Sequence, residues 1–221
     1  MDELDQIVEN IRTVFDARNQ ARDEALAVCR LLTRHCANAI RAVHREETSV
    51  VNEHLQEAGK LANQLQTSLK NFPDLYFSGY TQDALKEFVE ATITRALVLN
   101  EHLPTPEQIG VEGATYLNGL AEVTGELRRR CMDILRQGYS AEAERLLGCM
   151  DDIYSVLVTI DYPDAITSGL RRQTDLVRGI VERTRGDLTI SQREQHLELA
   201  LEDMARKLKE ANPNNADHPS V

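Results

Sequence analysis

Apolar or small residues at Leu4, Ile7, Ile11, Val14, Ala21, Ala25, Val28, Leu32, Cys36, Ala39 and Val43 keep a three-four alternation that is interrupted once, at Arg18. The spacing predicts one amphipathic helix of roughly 40 residues, about 60 Å long at 1.5 Å per residue. A chain of 221 residues folded as a compact globule cannot cover such a rod along its whole length. The helix therefore belongs to an elongated bundle or is covered by another subunit. Composition points the same way: Gly 11, Pro 6, 5 % aromatic residues and no Trp suit helices and argue against a sandwich or barrel.

The rest of the chain reads as further helices. Thr48 is placed to cap a second one, with the stripe Val51, Leu55, Ala58, Ala62, Leu65, Leu69 and Phe72, ended at Phe72-Pro73. A third is expected from Ser78-Gly79 to about Leu99. Between Leu85 and Leu99 it is apolar nearly all round, the mark of a buried helix. A fourth runs from about Gly113 to Arg136, and Ser140 caps a fifth that Tyr162-Pro163 breaks. A sixth follows from Asp164 to about Arg185. Gly186 and Ser191 then bracket the entry to a seventh, with Leu197, Leu201 and Met204 on one side. The fold class expected is all-α, an elongated bundle of about seven helices with a very long first helix. Residues 1–211 are expected to form one helical domain and 212–221 a disordered tail.

A net charge of -11 excludes a uniformly basic, nucleic-acid-coating surface but leaves room for a local basic patch. No run approaches the ~18 apolar residues of a membrane span, and the acidic start Met-Asp-Glu-Leu-Asp is unlike a secretory signal, so cytoplasmic residence is expected. Cys29, Cys36, Cys131 and Cys149 form no C-x-x-C pair, and reduced, buried thiols are the simplest reading.

Two carboxylate patterns carry the chemistry. Glu87-x-x-Glu90 in KEFVEA and Glu122-x-x-x-Glu126 in GLAEVTGE each place a pair on one helix face. Carboxylates withdrawn from water repel and tend to protonate, a difficulty that a hard divalent cation such as Mg²⁺ or Mn²⁺ removes. Gly119 lies on the same face as Glu122 and Glu126, so another helix or a substrate backbone can come close there. Arg129 and Arg130 continue that face. They are candidates to contact phosphate, or else ordinary ion-pair partners of Glu126. A di-iron centre would need Glu-x-x-His, which is absent, and the histidines lie away from both Glu pairs in sequence. An oxygen-only site is therefore preferred. Arg171, Arg172, Arg178, Arg183 and Arg185 form either a basic, polyanion-facing surface or a solvated face, and Tyr76, Phe77 and Tyr80 either stack on planar ligands or belong to the core or an interface.

Through GYTQDALKEFVEA (Gly79 to Ala91) and YLNGLAEVTGELRRRCMDIL (Tyr116 to Leu135), and weakly around Arg22 and Asp152 to Tyr154, the chain resembles the translin family. The resemblance covers most of residues 1–190. It implies a seven-helix fold assembled into a hollow octamer that encloses RNA. In the catalytic branch, that of translin-associated factor X, RNA is cleaved with Mg²⁺ held by carboxylates. Matched position by position, these are Glu87, Glu90, Glu122 and Glu126, with Glu122 standing where that branch has Asp. The non-catalytic branch lacks acidic residues matching Glu87 and Glu90 and carries basic residues before them; here the preceding Phe77-Ser-Gly-Tyr-Thr-Gln is neutral. The expectation is a Mg²⁺-dependent endoribonuclease, with Mn²⁺ as a possible substitute, acting on single-stranded or short RNA inside a homo-octamer. The alternatives are a non-catalytic oligomer that binds RNA or single-stranded DNA, and a helical scaffold without a nucleic-acid role.

Overall fold

The computed structural model describes residues 2–211, and the expected tail at 212–221 lies outside them. Among the described residues every regular element is helical. The helices are α1 (Asp2–His44), α2 (Thr48–Ser68), α3 (Pro73–Tyr76), α4 (Gly79–Val98), α5 (Pro106–Ile109), α6 (Gly113–Leu135), α7 (Ala141–Leu157), α8 (Asp164–Thr167) and α9 (Leu170–Ala211). Six are long, while α3, α5 and α8 are single turns.

The first helix is continuous, as its pattern predicts. Its stripe is used only in part, because buried positions begin at Ala25, while Leu4, Ile7, Ile11, Val14 and Phe15 remain 47 to 63 % exposed. Several boundaries differ from expectation, and the single turns α3, α5 and α8 were not expected as separate helices. Thr48 opens α2 without capping it: Glu47 occupies the cap position and makes no side-chain bond. The sixth and seventh helices are one, α9, running through Gly186 and Ser191. An interior glycine costs only about 1 kcal/mol. The buried series Val177, Val181, Thr184 and Leu188 carries the same face across Gly186 and outweighs that cost. The actual interruption comes earlier, where Ser168 and Gly169 both take positive φ, 54° and 82°, after α8. Ser140 does cap α7, accepting from the Glu142 N–H.

Two large hydrophobic clusters divide most of the interior, with a small third one at Ala42, Val43 and Val51. One joins α1, α2 and α3 to Ala84, Leu85, Phe88 and Ala91 of α4. The other joins Val89 and Ile93 of α4 to α6, α7 and α9. Helix α4 thus lies between the two halves, and from Ala84 to Val98 no residue is exposed. Cys29, Cys36 and Cys131 are buried free thiols and Cys149 is half-buried, in keeping with their reading as small core residues.

Candidate metal centre

The close approach of α4 and α6 starts at Gly119. A Cβ there would lie 2.7 Å from both Cβ and Cγ1 of Val89 and 3.0 Å from the Lys86 carbonyl oxygen, so only glycine lets the backbones meet this closely. One turn further along α6 the same face carries Glu122, opposite Glu87 and Glu90 of α4. Carboxylate oxygens of Glu87, Glu90 and Glu122 lie within 4.8 Å of one another, and all three residues are half-buried. Octahedral coordination at 2.0–2.1 Å places ligand oxygens about 3 to 4 Å apart, so a small inward adjustment would suit a hard cation. The donor set is oxygen only, which fits Mg²⁺ or Mn²⁺.

Electrostatics support the same fit. Burial, followed by repulsion from Glu87, Glu122 and Glu126, pushes the Glu90 carboxyl up to about 8. Glu87 is raised too, by burial first and then by Glu122. Without a cation the cluster therefore holds a proton near neutral pH. Cys36 faces the same group, its thiol raised by burial and by the charges of Glu87 and Glu90.

The fourth expected residue, Glu126, is engaged elsewhere. His44, at the C-terminus of α1, donates from Nε2 to Glu126 Oε2 at 2.6 Å, and Arg129 lies 3.6 Å from the same oxygen. The hydrogen bond from His44 is the main reason that the Glu126 carboxyl is held below its ordinary value. A histidine remote in sequence is thus adjacent in space: its side chain is 4 % exposed, with Nδ1 buried and unpartnered. Lys86 likewise escaped the sequence reading. Its Nζ lies 2.7 Å from Glu122 Oε1, which also accepts from Gln173 of α9 at 3.4 Å. Burial works against the Lys86 ammonium, but the hydrogen bond and charge of Glu122 more than offset it and leave its pKa raised. Lys86 carried one local signal, its place four residues before Glu90 on the same helix. His44 and Gln173 carried none.

The two arginines separate. Arg129 is 52 % exposed and free to meet a ligand, whereas Arg130 is mostly buried, pairing with Glu46 and donating to the His44 carbonyl at 3.4 Å. Glu46 has φ 61°, so Arg130 holds the left-handed residue of the α1–α2 turn against α6. Along α9, Arg171 pairs with Asp161, Arg178 with Glu182 and Arg185 with Asp151, which leaves much of that basic segment neutralised. Tyr76 and Phe77 stack edge to face at 5.0 Å, with Phe77 61 % exposed.

No family model matches the chain. It is 33 % identical over 190 residues to an uncharacterised protein of Methanocaldococcus jannaschii, covering 85 % of this chain and 82 % of that one. Among solved structures, AfC3PO is 32 % identical with a TM-score of 0.79, and an AfC3PO–duplex RNA complex is 30 % identical with a TM-score of 0.78. Each covers 85 % of this chain and 97 % of the other. Apo-NeC3PO, at 21 % identity and a TM-score of 0.76 over 83 % of this chain and 96 % of that one, shares the fold. Similarity to C3PO at 30 to 32 % identity over 85 % of this chain establishes that it belongs to the translin family.

Proposed function

We propose that the protein is a metal-dependent endoribonuclease that hydrolyses RNA phosphodiester bonds. The observation that carries this reading is the convergence of Glu87, Glu90 and Glu122 within 4.8 Å, half-buried and from two helices. These three would hold Mg²⁺, or Mn²⁺ in its place, with Glu126 beside them. A cation bound there would polarise a phosphodiester and lower the pKa of an attacking water. The chain's own residues do the rest. Glu87 and Glu90 fix their oxygens from a helix packed on both sides, and His44 turns Glu126 through its hydrogen bond. Arg129 stands exposed at the rim, where it would meet a backbone phosphate. Duplex RNA is bound by a relative 30 % identical in sequence, which supports RNA as the substrate class here. Whether single-stranded or short RNA is preferred is an outcome of the assay.

The uncovered apolar residues on the N-terminal half of α1 and the C-terminal half of α9 support assembly of several copies, with a hollow octamer as the form proposed. We place this activity in the cytoplasm; no helix among the described residues is long and apolar enough to cross a membrane.

The deciding experiment compares wild-type protein with Glu87→Gln/Glu90→Gln on labelled RNA in Mg²⁺, Mn²⁺ and EDTA. Cleavage should require the divalent cation and fall at least ~100-fold in the variant, whose fold should be unchanged. Undiminished Mg²⁺-dependent cleavage by the variant would place the chemistry elsewhere. The second reading, a non-catalytic oligomer that binds RNA or single-stranded DNA, draws on Lys86 and His44 already engaging Glu122 and Glu126. It expects binding that is indifferent to EDTA and no cleavage.

A further inference from the structure

The ammonium of Lys86 sits at the edge of the carboxylate triad. Its Nζ is 2.7 Å from Glu122 Oε1 and 3.8 Å from Asp83 Oδ1, and its side chain is only 19 % exposed. Glu122 is one of the three converging carboxylates, so a cation held by the triad and the Lys86 ammonium draw on the same negative charge. Like charges sharing one carboxylate repel, and the divalent ion has the stronger claim. A largely buried ammonium released from Glu122 needs another anion. Asp83, one turn back on α4, is 76 % exposed and offers only a weak, water-screened partner. A phosphodiester brought to the triad offers a better one, because its negative charge builds up beside the ammonium as a water oxygen bonds to phosphorus and the ester oxygen departs, the proton lost by the water ending on that ester oxygen by way of solvent.

We propose that Lys86 is a catalytic residue that contacts the scissile phosphate and is held on Glu122 until cation and RNA displace it. This rests on the nuclease reading above and adds to it a substrate-contacting cation that the carboxylates alone do not provide. Of the other positive groups nearby, Arg129 lies on Glu126 outside the triad and Arg130 is committed to the α1–α2 turn. Lys86 is the cation that borders Glu122 itself.

The test uses full-length protein with Lys86→Gln and Lys86→Arg. Mn²⁺ affinity is measured first by electron paramagnetic resonance without RNA, and single-turnover cleavage of a labelled RNA is then followed at saturating Mn²⁺. Circular dichroism confirms that each variant is folded. Removing the competitor for Glu122 should tighten Mn²⁺ binding about 10-fold in Lys86→Gln. Loss of the phosphate contact should slow its cleavage roughly 100-fold. Lys86→Arg, keeping the charge, should bind Mn²⁺ like wild type and recover much of the rate. Opposite movement of affinity and rate is the signature. Tighter Mn²⁺ binding with an unchanged rate would make Lys86 a passive counter-ion, and weaker Mn²⁺ binding would make it structural; if neither moves it is a bystander. Each of these overturns the proposal. Wild-type protein that fails to bind Mn²⁺, or Glu87→Gln/Glu90→Gln protein that binds it equally well, removes the metal reading itself and the role of Lys86 with it, before any Lys86 variant is compared.

Discussion

Glu90 concentrates the chemistry of the site in one titrating group. Its carboxyl moves from an ordinary 4.5 to about 8, so between these values the folded chain keeps a proton that the unfolded chain has lost. Stability therefore falls as pH rises through that window, and the contribution is fully present only below the lower value. Denaturant unfolding in EDTA at pH 5 and pH 8 should show wild type losing stability and Glu90→Gln losing distinctly less; equal losses would mean that Glu90 is ordinary in solution. The arginines admit a sharper division than their adjacency suggests. Arg129→Gln should weaken RNA binding several-fold, as loss of one phosphate contact does, with stability within about 0.5 kcal/mol of wild type. Arg130→Gln should lower stability by about 1 kcal/mol, because it frees the Glu46 turn, and leave RNA affinity nearly unchanged. A filter-binding titration beside a thermal melt checks both. The glutamate pairs were legible because three- and four-residue spacing puts carboxylates on one helix face. Lys86 with Glu122 and His44 with Glu126 are 36 and 82 residues apart, and contacts at such separations leave no periodic trace in a sequence.

Helices were legible where punctuation and periodicity agreed. Ser140 caps α7, and α1 and α4 keep close to their expected lengths, whereas Pro73 and Pro106, read only as helix ends, each also open a single-turn helix. They were illegible where a weak breaker met strong packing, as at Gly186 in α9. The glycines of α6 test how packing decides such cases. Gly119→Ala gains about 1 kcal/mol of helix propensity but drives a methyl group into Val89 and the Lys86 carbonyl, an overpacking cost of about 1–3 kcal/mol. The net result should be a lower melting temperature and weaker Mn²⁺ binding as α4 and α6 are forced apart. Gly125→Ala on the same helix meets nothing within 4 Å and should raise stability by up to about 1 kcal/mol. Calorimetry on the two single variants checks the pair, and the same sign in both would show that the contact is looser than described.

At the scale of the molecule, two helices of 43 and 42 residues run past the bundle that one chain can build around them. Each is about 65 Å long. Leu4, Ile7, Ile11, Val14 and Phe15 on one, and Leu197, Leu201, Met204 and Leu208 on the other, are left exposed. Such apolar faces are buried by association. Light scattering at micromolar concentration should give a mass well above 24.9 kDa, and about 200 kDa for eight copies. A monomeric mass would overturn the assembly. Within each copy, α4 has no exposed residue from Ala84 to Val98 and belongs to both large hydrophobic clusters. A helix without a free face has little room for silent change during evolution. In a library of all single substitutions, α4 should tolerate fewer than any other long helix, and its losses should be of two kinds: changes at Leu85, Val89 or Ile93 would remove the protein from the cell, while changes at Glu87 or Glu90 would leave it abundant and inert.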